Sequence, residues 1–445
     1  MRSHAPSFAR LGAFWFGIQA VWGAVLGLSL QARTNELGGA GALATYGAIA
    51  TLGAIAAGVT QIAIGPIADY ARARGRNHSA FVVGGAVVAA GALWEFYGSQ
   101  TIAAELAAFL TLQFAMNVAA GPYQAIIPEY VGGERAGLAS SWTAALQSAG
   151  NAAGAVIAAF VANAKIVAAA LAVLLLSTAA MSVAHIRSLP LERMKPGAFR
   201  VSRTFADLFV SRALVFVGFY TMVDYLYFYV VRTLGVLPAH ATQSNGVALL
   251  AFTLFGVAGA ALAGRPSDQF DRRLIACGAC AISIVALAVL CALPRAGVFF
   301  SAAAVMGFAW GAFLTADWAL ACVIVPRDSL ATAFGVWNVA LLAPQIVAPS
   351  LTTLVLALSG ATHGPAGPRF ALGLAAAEFA LGAAWLWRLP AQPPRGVKFR
   401  ELGITETTIS ARGTQSGPCP LGCVETGRIL PSLPSQESGP SVTDF

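Results

Sequence analysis

Two carboxylates stand inside long apolar stretches of this chain, where a charge is costly and kept only for a reason. Asp317 lies in the stretch 297–325 with Trp310 before it and Trp318 beside it. Asp224 follows Tyr220 by four positions and precedes Tyr227 by three, so on a helix the three share a face. Such carboxylates can carry a proton, hold a hydroxyl-rich ligand, or neutralise a cation; Arg232 stands two turns beyond Asp224. Amide side chains recur beside them. Gln113, Asn117 and Gln124 fall on one face of a helix, Thr143, Gln147 and Asn151 on one face of the next, and Asn338 and Gln345 lie late in the chain. Amides both donate and accept, which suits a neutral polar solute and equally suits bonds between helices.

The elements that carry these residues are set by composition. Only 10% of the 445 residues are charged, 58% are hydrophobic, and the mean hydropathy is +0.72; a bilayer must be the solvent. Twelve apolar runs follow one another, from 11–32 to 370–388. Each suffices to cross a hydrocarbon layer that needs about 20 helical residues. Spanning strands would be shorter and alternate in polarity, which excludes a β-barrel. The net charge of +8 is spread over short loops and forms no continuous face for nucleic acid.

If both termini lie on one side, that side receives twenty Lys and Arg up to Arg400, and the other only Arg33, Lys165, Arg232, Arg295 and Arg369. The basic side reads as cytoplasmic, which predicts a multi-pass inner-membrane protein with both termini inside. A basic loop at 187–207 with Pro190 and Pro196 reads as a linker between a six-helix half at 1–186 and a second at 208–390. Residues 391–445, rich in Pro, Ser, Thr and Gly, read as a disordered cytoplasmic tail. Cys277 and Cys280 sit in an apolar run with no His nearby, and the tail pair Cys419 and Cys423 lacks two further ligands, so neither reads as a metal site.

One motif occurs twice. Gly65-Pro-Ile-Ala-Asp69 is followed by Arg72, Arg74 and Arg76, and Gly264-Arg-Pro-Ser-Asp268 by Arg272 and Arg273. Glycines (264 − 65) and aspartates (268 − 69) are each 199 positions apart, and both copies fall after the second run of their half. Gly permits close approach of two helices, Asp can cap a helix or pair with Arg, and the Arg cluster can hold the cytoplasmic side. Glu129 and Arg135 flank another loop on that side and join these residues as a gate.

The doubled motif, the twelve runs and the central basic loop resemble the major facilitator superfamily. A closer likeness is carried by Asn117-Val-Ala-Ala-Gly121-Pro-Tyr-Gln124-Ala-Ile-Ile-Pro128-Glu129, by Gly307-Phe-Ala-Trp-Gly311 through Asp317, and by Trp337-Asn338 to Pro344-Gln345. These are similar to the sugar:cation symporter branch, including sucrose/proton symporter-like proteins. Sucrose symporters carry an Arg within the Gly-Pro motif; Gln124 stands here instead and supplies no fixed charge. The resemblance implies an all-helical membrane fold of two pseudo-symmetric six-helix halves. It places the fourth and fifth helices beside a central cavity, so Gln113, Asn117, Gln124, Gln147 and Asn151, with Tyr220, Tyr227, Asn338 and Gln345, would face the solute. It places Glu95 and Glu378 on peripheral helices.

No nucleotide-binding loop, zinc-protease motif or nucleophile elbow is present, so neither an enzyme nor an ATP-driven pump is expected, and no cofactor or metal is called for. The expectation is a secondary transporter, monomeric, moving a small sugar-like solute by alternating access, with Asp317 or Asp224 binding the coupling proton. An exporter of metabolites or drugs, and a non-transporting sensor or assembly factor, use the same architecture.

Overall fold

A computed structural model describes residues 6–38, 42–191, 197–360 and 365–391. Residues 192–196 of the expected linker, with Arg193, Lys195 and Pro196, and the expected tail from 392 onward, with Cys419 and Cys423, lie outside the described residues.

The described chain folds into twelve long helices and, within those residues, no strand. They are α1 Phe8–Leu37, α2 Ala42–Ala73, α3 Ser79–Gly98, α4 Ile102–Tyr130, α5 Ala136–Phe160 and α6 Ala164–Ser188. The second set is α7 Arg203–Thr233, α8 Pro238–Gln269, α9 Arg272–Ala292, α10 Ala296–Ile324, α11 Leu330–Ser359 and α12 Ala366–Leu386. Helices win because they satisfy every backbone group within the segment, which hydrocarbon demands. Asn163, Ser202 and Asp271 accept from the first-turn amides of α6, α7 and α9, and Gly360 closes α11 in the left-handed region at φ 71°.

Eleven of the twelve are both long and apolar enough to cross a membrane. The exception is α5, whose 25 residues have the length but include Ser140, Ser141, Thr143, Gln147, Ser148 and Asn151. Its first turns bury Ser140, Ser141 and Thr143 against other helices, so this polarity faces protein instead of lipid.

The repeat is visible in the packing. In the first half α1 packs on α5 and α6, α3 on α4 and α6, and α2 on α4. In the second half α7 packs on α11 and α12, α9 on α10 and α12, and α8 on α10, which is the same pattern advanced by six helices. The halves meet through α5 with α8 and, equivalently, α11 with α2. Even the irregularities repeat: the first helix of each half carries a turn of π-helix, at Val25–Ser29 inside α1 and at Tyr229–Thr233 at the end of α7. Successive helices alternate in direction, so α1 begins and α12 ends on one face, called the first face below.

Candidate functional site

On the first face each motif aspartate caps a helix of the opposite half. Asp69 Oδ1 accepts from the Ala331 amide at 2.9 Å, and Oδ2 accepts from the Thr332 amide at 2.9 Å and the Thr332 hydroxyl at 2.6 Å. Asp268 accepts from the Gly137 amide at 2.7 Å and the Leu138 amide at 3.0 Å. Each therefore sits on the positive end of a helix, with bonds to amides that lack an intrahelical partner. The glycines make this approach possible: a Cβ on Gly65 would stand 2.6 Å from Thr332 Cα, and one on Gly264 would stand 2.7 Å from Ser141 Cβ.

The arginines of the motif act mostly elsewhere. Arg74 and Arg76 are exposed, and Arg74 lies over the Tyr70 ring. Arg272 reaches across the halves, donating to the Gly133 carbonyl at 2.9 Å. Arg273 ties α9 to the end of α12 by donating to the Leu389 carbonyl at 2.5 Å, and is held by Asp271 at 2.6 Å. Glu129 does not face Arg135. Its carboxylate is enclosed with Arg72 at 3.3 Å and His78 at 2.7 Å, while Arg135 stacks over Phe8. This joins α2, α3 and α4 within one half.

Aromatic rings fill the space behind the caps. Trp15 of α1 meets Trp318 of α10 edge-on at 5.3 Å, and Trp318 meets Trp337 of α11 at 5.3 Å, which seals the halves together toward the first face. Asp317 lies buried beside this seal and is ion-paired with Arg212 of α7. The Arg212 guanidinium is sandwiched, 3.5 Å from the Trp337 ring centre and 4.6 Å from that of Phe216. Sequence reading placed Arg212 among the charges of the basic side; it lies instead within the span, and its position inside the apolar run 208–231 was the available signal.

Farther from the first face, Tyr220 accepts from Gln345 Nε2 at 2.6 Å, joining α7 to α11. Asp224, one turn on, is exposed and has no ion-pair partner among the described residues; Arg232 lies over Phe228. Tyr227, Gln147 and Asn338 are half-buried, and Asn151 is exposed. The α4 amides form a buried relay. Asn117 donates to the Gln113 carbonyl at 2.7 Å and accepts from Gln61 Nε2 at 2.6 Å, and Gln124 Nε2 donates to Gln61 Oε1 at 3.2 Å. Gln61 of α2, absent from the residues singled out by sequence, bridges the two ends of that stripe, and Gln124 Oε1 alone keeps an unmet acceptor there.

Glu95 is exposed, as a peripheral position implies. Glu378 is not: its helix packs on α7 and α9, and the side chain is enclosed. Glu105 is also enclosed, accepting from Thr34 Oγ1 at 3.2 Å.

Residues 11–349 match the Major Facilitator Superfamily. The chain belongs to that superfamily. No curated protein sequence matches it. Among solved structures it is similar to the human organic anion transporter MFSD10 (TETRAN), at 12% identity and TM-score 0.65, covering 85% of this chain and 97% of that one. A bacterial homologue of the iron transporter ferroportin in an outward-facing state aligns at 12% identity and TM-score 0.64, covering 86% and 98%. The proton:xylose symporter XylE aligns at 15% identity and TM-score 0.61, covering 86% and 95%. The major-facilitator fold thus stands on both the family match and the twelve-helix packing.

Proposed function

We propose that this major-facilitator protein moves a small, polar, sugar-like solute across the inner membrane by alternating access coupled to protons, with the first face cytoplasmic. The observation that carries the reading is the pair of reciprocal aspartate caps. They close one face by contacts between halves alone, so the halves can part without breaking either fold. The conformer described is then outward-facing. Above the aromatic seal, Tyr220, Asp224 and Gln345, with Gln147 and Asn151 from the other half, offer donors and acceptors for hydroxyls. Asp224 is the proton carrier in this account: it is open to its surroundings and unpaired, whereas Asp317 is already neutralised by Arg212. The sugar symport of XylE supports the substrate class by analogy of fold.

Reconstitution tests it. A pH gradient imposed on proteoliposomes is expected to drive accumulation of a monosaccharide or polyol from a labelled panel, and Asp224→Asn to abolish the dependence on that gradient while the protein stays folded. Uptake unaltered by the gradient for every solute tested would sink proton symport.

A second reading rests on a separate, small cavity of about 90 Å³ between α7, α8 and α10, walled by Phe219, Met222, Leu226, Phe252 and Phe299 with Asn245 as its polar group. Such a lining suits an amphipathic molecule and an exporter. Competition between sugars and a hydrophobic dye for the purified protein separates the two.

A further inference from the structure

The second half contains a carboxyl that neither the gate nor the proposed solute site uses. Glu378 lies about 18 Å along α12 from Ala366, taking 12 residues at about 1.5 Å each, which is near mid-membrane. It is 5% exposed, and neither carboxyl oxygen has a hydrogen bond of good geometry. Beside it stands Thr221 of α7. Thr221 and Thr352 of α11 are fully buried and share a hydrogen bond of 3.0 Å, so three helices meet at this point.

No cation balances it among the described residues. On α7, Arg212 is committed to Asp317, Asp207 accepts from Trp385, and Tyr225 bonds Thr353. On α9, Arg273 is held by Asp271, Cys277 donates to the Ala383 carbonyl, and Cys280 is buried without charge. Arg369, on α12 itself, donates to the Cys291 carbonyl, and α11 carries no ionisable side chain from Leu330 to Ser359. A bare carboxylate enclosed in this way has no cation and at most the Thr221 hydroxyl to offset its lost hydration. A carboxylic acid needs no cation: its O–H can donate to Thr221 Oγ1, whose own hydroxyl then donates to Thr352.

We propose that Glu378 is a proton-binding site of the second half, filled while Thr221 and Thr352 are joined as here and emptied to water when α11 moves away from α7. Two features make α11 the moving part. Pro344 and Pro349 interrupt its backbone ladder just before Thr352, and its first turn is the one that Asp69 holds. Proton occupancy at Glu378 is thereby tied to closure of the first face. The inference rests on the reading that the halves rock, and not on the identity of the solute or on Asp224.

Infrared difference spectra of the full-length protein in nanodiscs, taken between acidic and alkaline buffer, test it. The wild type is expected to show a protonated-carboxyl C=O band that is lost in alkaline buffer, missing in Glu378→Gln, and shifted in frequency in Thr221→Val. Glu378→Gln keeps the size and neutrality of the acid, so its thermal unfolding should match wild type. Spin-label distances across the first face should depend on pH in wild type and not in Glu378→Gln. A band unchanged in Glu378→Gln, or one that persists at every pH, overturns the proposal. Asp224→Asn serves as the separate arm: proton-driven uptake that survives this substitution counts against Asp224 as the proton carrier and leaves the Glu378 band where it was.

Discussion

A buried guanidinium whose carboxylate is removed keeps its charge and loses its compensation, so Arg212 and Asp317 should be far more sensitive singly than together. Asp317→Ala or Arg212→Ala is expected to cost about 3–5 kcal/mol, while an apolar replacement of both, Arg212→Met with Asp317→Leu, should recover most of it in thermal unfolding of detergent-purified protein. Equal losses for single and double variants would show that the pair is not the source of the effect. The residue scale is also where sequence reading was least complete. Asp317 was legible as an intramembrane carboxylate, but its partner is 105 positions away and carried no mark beyond being a charge inside an apolar run. Likewise the Gln113, Asn117 and Gln124 stripe was legible from helical spacing, whereas Gln61, which joins its ends, stands alone on α2.

Among the helices, the two motif copies act as N-terminal caps delivered from the opposite half. Losing one cap is worth about 1 kcal/mol, so Asp69→Ala or Asp268→Ala should each shift the closed-to-open ratio of the first face about fivefold. Reactivity of a cysteine placed at Ser141, buried in the closed form, reports that shift. Gly65→Val should open the same face more strongly, because the new side chain meets Thr332 backbone that cannot yield; reactivity as low as in wild type would show that the approach is not required. The 199-residue spacing made the motif legible. What the aspartates hold was not, because the partners are backbone amides 262 and 131 positions away, and a backbone amide has no sequence signature. The helix count shows the opposite limit: α5 falls below the apolarity of its neighbours partly because Ser140, Ser141 and Thr143 are buried against them.

For the molecule as a whole, the matching contact patterns of the halves mean that opening one face and closing the other can proceed by rigid rocking, with α5–α8 and α2–α11 as the seams. That the chain has two six-helix halves was readable from hydropathy and repeat because both are properties of whole segments. Which face is closed was not, since it depends on contacts between halves that differ little in energy. The most direct measurement is the distance between spin labels at Arg74, just after α2, and Arg327 beside α11, both exposed, in a variant without native cysteines. The account predicts a short, dominant distance at rest and a second, longer one. The longer population should grow when Asp69→Ala and Asp268→Ala are combined and change when a transported solute is added. A single distance, unmoved by both substitutions and by every solute, would contradict alternating access between these halves.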